Sequence, residues 1–344
     1  MLSDDFIKIV ENYNGNYRVV VYYHNMIIYE KNSCEWSGTS QHRIASITKI
    51  FAILAIMLLV QNNKISLDDT IDKFNVNIPF NNKITIEHLI MHNNGIFNAV
   101  NYFCDYDLLP TRKYIKNKIV NKNYYNPNIN IIINLINNAK YAYNNLGKNI
   151  DSEGNRCFIP GTDYRYNNTG YYILGYIIKK ITNTCPSVFI KNNILNKLNM
   201  INTIFHYDSV NNNNDNEIDI YDSNNQLCYH NNFDYMGIHA NMISTTDDMH
   251  LFLLGYHNLF KPCILKKIHK IMDIYWHINP FQNGPKNLLL YHTGSLDIPP
   301  NYDEGTPSES MVLLLKNGLQ IIIFNNKRNT KKESLVDLVG PSLR

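Results

Sequence analysis

The chain has 344 residues, 44% hydrophobic and 18% charged, a balance that fits a folded protein able to bury a sizeable core and excludes a largely disordered one. Its formal net charge of +3 is mild, and the Lys and Arg residues are scattered with no basic stripe, which excludes nucleic acid as the expected partner. Asn, Ile, Lys and Tyr crowd the sequence, so short motifs built on Asn or Tyr arise by chance more often here than in average sequence.

The opening stretch MLSDDFIKIVENY has two early acids and no apolar segment, so no secretory signal is expected. The 6 cysteines (Cys34, Cys104, Cys157, Cys185, Cys228 and Cys263) lie far apart with no CxxC pair, the pattern of reduced, structural thiols in an intracellular protein. Residues Tyr17 to Glu30 carry two β-rich runs around His24 and Asn25 and predict a hairpin.

Helical patterns follow at 47–61, 84–92, 170–182, 187–198 and 246–256, with polar loops at 101–128 and 208–234 and a solvated Asn-rich stretch at 211–217. The apolar run Ile50 to Val60 is about half the ~20 residues that span a bilayer, so it predicts a buried helix and no membrane span. His88 and His92 have the i, i+4 spacing of zinc-binding helices, but no third ligand is apparent and Glu87 precedes the pair. They read as ordinary helix residues near a turn, and no metal or cofactor is expected. Near the other end MVLLL and LQIIIF flank Lys316-Asn317-Gly318, and Asn-Gly between apolar runs predicts a second hairpin.

Strands at both ends and helices between them predict an α/β fold of the α+β type: an antiparallel sheet of N- and C-terminal strands flanked by helices, with an inserted, mostly helical lobe. The expected organisation is a single domain over 1–344, its mixed lobe at about 1–75 and 235–344 and its helical lobe at about 76–234.

Three segments carry chemistry. Ser46-Ile47-Thr48-Lys49 directly precedes the buried apolar helix, and residues three apart share a helical face, so the Lys49 amine can reach the Ser46 hydroxyl. A Ser hydroxyl becomes a nucleophile when a neighbouring base takes its proton, and a desolvated Lys can be neutral enough to do so. Tyr166-Asn167-Asn168 lies between the turn Pro160-Gly161 and the helical stretch GYYILGYIIKKIT. There Tyr166 can act as general acid or base and Asn168 can donate to a substrate carbonyl; the alternative is a structural loop tyrosine. His292-Thr293-Gly294-Ser295 follows the β-capable run NLLLY, at a strand end or along an exposed edge, where Gly294 admits close approach of a ligand. The Ser295 N–H could pair with the Ser46 N–H as an oxyanion hole.

In that order the three segments resemble the serine β-lactamase and penicillin-binding-protein superfamily, specifically the branch of class C β-lactamases, D-alanyl-D-alanine peptidases and related esterases. ITIEHLIMHNNGI at 84–96, FIPGTDYRYNNTGYYILGYII at 158–178 and MISTTDDMHLFL at 242–253 are similar to further landmarks of that family. The resemblance implies an acyl-transfer hydrolase with a small-molecule ester, amide or lactam substrate. Ser46 would be the acylated nucleophile, Lys49 and Tyr166 its acid and base system, Asn168 a substrate-orienting donor, and His292, Thr293, Gly294 and Ser295 the binding strand. The alternative is a catalytically silent relative kept as a binding or structural protein.

Several positions depart from the family pattern. His292 stands where a Lys is usual, Asn167 replaces the usual Ser, Asn93-Asn94 replace a small polar pair before Gly95, and LDIPPNYDEG replaces a Gly-rich stretch. At an ordinary pKa of roughly 6.5, His292 would be mostly neutral at pH 7.5 and gain charge toward pH 6. The expectation is a preference for neutral acyl substrates that narrows as pH falls.

Overall fold

A computed structural model describes residues 2–33, 36–100, 129–148, 156–205, 220–221, 227–228, 234–278, 287–296, 308–326 and 335–343. The expected loop at 101–128, most of that at 208–234, Cys34, Cys104 and residues 297–305 lie outside the described residues.

In chain order the elements are α1 (Asp4–Asn12), β1 (Tyr17–Tyr23), β2 (Met26–Asn32), β3 (His42–Arg43), α2 (Thr48–Gln61) and α3 (Ile86–Ile90). They continue with α4 (Ile129–Asn138), α5 (Lys140–Asn144), α6 (Asn168–Thr182), α7 (Pro186–Ile190), β4 (Ile204–Phe205), β5 (Ile220–Tyr221), β6 (Leu227–Cys228) and β7 (Met242–Ser244). The last stretch carries α8 (Thr246–Gly255), α9 (Pro262–Ile278), β8 (Leu288–Leu296), β9 (Ser308–Leu315), β10 (Leu319–Asn325) and α10 (Leu335–Val339).

These elements form two compact units, the first Met1–Ile50, Lys191–Phe233 and Ala240–Arg344, the second Phe51–Ile190 and Asp234–His239. Residues 51–75, 191–233 and 235–239 thus group differently from the lobes drawn on sequence. The ladder of β4 on β7, with Ile204 opposite Ile243, ties the stretch after Lys191 to the first unit, while α2 from Phe51 onward joins the helical core.

The first unit is built on a five-stranded sheet in the order β2-β1-β10-β9-β8. Strand β1 pairs antiparallel with β10 from Tyr17↔Asn325 to Tyr23↔Leu319, so the early and late segments of the chain close one sheet. Both predicted hairpins are present, and Gly318 takes the positive φ (85°) that the β9–β10 turn requires. One face buries Val19, Val21, Met311, Leu313, Ile321 and Ile323 against Phe6 and Val10 of α1 and Leu335, Val336 and Val339 of α10. On the opposite face His250 of α8 stacks on Tyr22 at 3.6 Å and bonds Gln320 Oε1 through Nδ1 at 2.7 Å.

The second unit is helical. Helix α2 is apolar all round, its residues from Phe51 to Leu59 all buried, as befits a core helix. Helix α6 starts where Asn167 caps it, its side-chain oxygen accepting from Thr169 N at 2.9 Å and Gly170 N at 3.3 Å, and ends at Asn183 in the left-handed region (φ 52°). The helix expected over 187–198 is broken: α7 gives way to a π turn at Lys191–Leu195 and a 3-10 turn at Asn196–Leu198. Helices α1, α4, α5, α9 and α10 lie outside the helical patterns expected from sequence.

Candidate active site

The segment leading into Ser46 is gripped from both ends by one residue of β7. Met242 O accepts from Ile44 N at 3.0 Å, and Met242 N donates to Thr48 Oγ1 at 3.2 Å. Between these two anchors Ala45 takes φ 44°, a left-handed conformation that costs a non-glycine residue roughly 1–2 kcal/mol. Ser46 therefore stands just outside the apolar helix that it precedes. It sits in a 3-10 turn, Ala45–Ile47, immediately before α2.

The turn running into the first residues of α2 brings the expected pair together. Lys49 Nζ stands 3.0 Å from Ser46 Oγ and donates to it. Ser46 is partly exposed, whereas Lys49 is fully buried. Burial strips water from the ammonium and holds its pKa well below the ordinary lysine value. A buried amine so shifted can take a proton from the hydroxyl beside it.

Strand β8 lies at the edge of the sheet, and His292 through Ser295 lie within it, paired to β9 from His292↔Val312 to Ser295↔Glu309. A Cβ on Gly294 would stand 2.1 Å from the Ile44 carbonyl oxygen and 2.6 Å from Ser310 Oγ, so only glycine lets the strand lie against the Ser46 turn. Ser310 Oγ secures the approach by donating to Ile44 O at 3.2 Å.

His292 is buried, and its Nδ1–H donates to the Thr293 carbonyl. Burial first, and the nearby Lys49 second, push its pKa down to about 3. Against the expected gain of charge toward pH 6 stands this desolvation, which a tetrapeptide does not show. Thr293 is partly exposed and Ser295 exposed. In the first unit, then, the fold brings Ser46, Lys49, His292 and Gly294 together.

In the second unit Tyr166 and Asn168 stand on either side of the α6 cap, Tyr166 36% exposed and Asn168 the first residue of the helix. The loop that carries them rests on residues 92–98. Gly161 N donates to Asn93 O at 2.8 Å, Phe158 N to Gly95 O at 3.2 Å, and Asn167 Nδ2 to Ile96 O at 2.7 Å and to Asn94 Oδ1 at 3.4 Å. Gly95 is required twice over, by its φ of 67° and because a Cβ there would meet Phe158 O at 2.0 Å.

The two histidines of the zinc-like spacing have separate duties. His88 forms a capping box with Thr85, its Nδ1 accepting from Thr85 N at 3.2 Å, while His92 Nδ1 accepts from Asn167 N at 3.0 Å. The link from His92 to the Tyr166 loop was missed on sequence, since no periodicity joins residues so far apart.

The Beta-lactamase family model matches residues 9–296. The chain is 28% identical over 174 residues to "Protein flp" of Staphylococcus aureus (strain NCTC 8325 / PS 47), a match covering 49% of this chain and 29% of that protein. It thus spans under a third of that relative's length. Among solved structures, the penicillin binding protein from Bacillus halodurans aligns with a TM-score of 0.64 at 13% identity over 99% of this chain and 98% of its own. The D-stereospecific amidohydrolase from Streptomyces sp. aligns with a TM-score of 0.64 at 17% identity over 95% and 96%. At these identities the likeness concerns the fold. Among the described residues no helix is long and apolar enough to cross a membrane.

Proposed function

The chain belongs to the Beta-lactamase family, and from that premise we propose that it is a serine hydrolase working through a covalent acyl-enzyme on Ser46, with an ester, amide or lactam as substrate. The observation that carries this reading is the Ser46–Lys49 pair, a partly exposed hydroxyl 3.0 Å from a fully buried amine.

In this mechanism neutral Lys49 takes the Ser46 proton as Oγ attacks the acyl carbonyl, and the carbonyl π electrons move onto oxygen to give a tetrahedral oxyanion. The backbone N–H groups of Ser46 and Ser295 are assigned to that oxyanion, where fixed dipoles contribute most to acyl transfer. Tyr166 shares the proton and, with Lys49, returns it to the leaving group as the C–O or C–N bond breaks. Water then attacks the acyl-enzyme, giving up its proton to the same pair, and Ser46 is released. Asn168 orients the substrate carbonyl, and His292, Thr293 and Gly294 line the acyl side. No step calls on a metal or cofactor.

The test is mass spectrometry after reaction with a fluorophosphonate. Wild-type protein should gain one adduct and Ser46→Ala none. Equal gain in both forms would assign the nucleophile elsewhere, and no gain in either would favour a silent relative.

A further inference from the structure

His92 is fully buried and holds the residues around Tyr166 in three ways at once. Its carbonyl accepts from Arg165 N at 2.9 Å, its Nδ1 accepts from Asn167 N at 3.0 Å, and its ring lies against the Tyr166 ring with centroids 4.4 Å apart and planes tilted by 36°. One residue thus holds the backbone N–H of the residue before Tyr166, that of the residue after it, and the phenol ring between them. Its own ring is set by Tyr171 at 5.1 Å and Tyr164 at 6.2 Å. Its backbone is in the left-handed region (φ 56°), which histidine enters more readily than most residues.

The loop does not depend on His92 for its existence. Asn167, Asn93 and Gly95 anchor it independently, through Ile96 O, Gly161 N and Phe158 N. What His92 adds is its hold on Arg165 N, on Asn167 N and on the Tyr166 ring. We infer that His92 is a positioning residue for the proposed proton transfer: it aims the Tyr166 hydroxyl through the Nδ1 acceptor beneath Asn167. This rests on the reading of Tyr166 as a partner in handling the Ser46 proton. Displacing a catalytic group by about 1 Å can cost on the order of 10²-fold in rate, so loss of the acceptor should be felt in chemistry more than in binding.

The test is the kinetics of fluorophosphonate labelling of Ser46, resolved into a maximal rate and a half-saturating concentration. His92→Phe keeps an aromatic ring and loses the acceptor, and His92→Gln loses it too because its amide reaches past the Nδ1 position. His92→Asn places Oδ1 near Nδ1 and tolerates positive φ. The first two should lower the maximal rate by about 10-fold or more with the half-saturating concentration within about 2-fold, and His92→Asn should recover to within about 3-fold of wild type. In a Tyr166→Phe background His92→Phe, or His92→Gln if the former does not fold, should cost less than about 2-fold further.

An equal loss in both backgrounds, an effect on the half-saturating concentration alone, or a wild-type rate would overturn the assignment of His92. A Tyr166→Phe single variant with unchanged rate would instead overturn the reading of Tyr166. The two failures are therefore told apart by which variant reports them.

Discussion

Gly294 approaches the carbonyl of Ile44 so closely that the smallest side chain has no room: a Cβ would lie 2.1 Å from that oxygen. Backbone stands on both sides of the clash, so the strand and the turn carrying Ser46 must separate to accept a methyl group. Gly294→Ala should therefore lower stability by about 1–3 kcal/mol and slow Ser46 labelling by about 10-fold or more. Thermal melting and labelling kinetics check the two effects separately. A variant that melts and reacts like wild type would show that β8 does not hold the Ser46 turn.

Lys49 offers a test in which charge and function part company. Lys49→Met removes a buried amine that costs free energy to desolvate, so it should fold with a melting temperature equal to or above wild type while Ser46 labelling falls by about 10²-fold or more. Lys49→Arg should be equally inactive, because a guanidinium does not become neutral in this range. In the wild type the labelling rate should rise with pH as Lys49 loses its proton, with a midpoint well below the ordinary lysine value of 10.5. A midpoint at or above that value would remove Lys49 from the role of base.

The buried His292 alters the specificity expected from sequence. Its pKa of about 3 keeps it neutral across pH 5–8, so the strand presents no histidine charge to a substrate carboxylate anywhere in that range. For matched neutral and anionic esters, the ratio of kcat/KM should favour the neutral substrate and stay within about 2-fold between pH 8 and pH 5. His292→Lys should shift the ratio toward the anionic ester by about 10-fold, the size of one charge-assisted hydrogen bond. A ratio that climbs toward the anionic ester as pH falls to 6 would mean that His292 does titrate there.

His42 gives the fold a sensitivity to acid that does not pass through the reaction. It is buried, stacked on Phe324 at 5.0 Å, with Nε2 donating to Glu309 O at 3.2 Å. Burial is the main cause of its pKa of about 3; the bond to Glu309 opposes the shift and Arg43 adds to it. In the unfolded chain a histidine takes a proton near pH 6.5, whereas the folded chain refuses it until about pH 3. The stabilisation is thus complete above pH 6.5 and is lost as pH falls through the window between the two values. Each such histidine steepens the loss by up to about 1.4 kcal/mol per pH unit. Melting temperatures from pH 7.5 to pH 4.5 should fall less steeply in His42→Phe than in wild type, even though the variant starts lower for want of the Glu309 bond. Parallel slopes would show that His42 is already accessible to protons.

Much of the sheet was legible because its signals are local. Apolar, β-branched runs around His24-Asn25 and around Asn317-Gly318 specify two hairpins wherever their partners lie, and Ser46 and Lys49 stand out by leading into a helix that is apolar from Ile50 onward. Helix α1 carries readable marks in its Ser3 cap and in Phe6 and Val10 at i, i+4 spacing, which the absence of an apolar leader overshadows. Helix α9 likewise shows Pro at its first position and went unread.

What sequence could not supply are the contacts made when distant segments meet. Asn167 and Asn94 each looked like an isolated departure from the family pattern, yet they face one another at 3.4 Å, and Asn167 caps α6 while reaching Ile96. The left-handed turn at Ala45 is similarly invisible in isolation, since it follows from Met242 holding Ile44 and Thr48 at a fixed separation.

The pairing of β1 with β10 also orders events during synthesis. The β1–β2 hairpin leaves the ribosome long before the strand that covers its inner edge, from Leu319 to Asn325. Until then Val19 and Val21 lack the neighbours Ile323 and Ile321 that shield them, and β1 shows an open row of backbone donors and acceptors. The newborn chain therefore holds an open edge over the whole interval between the two strands, a long-range pairing of the kind that closes slowly.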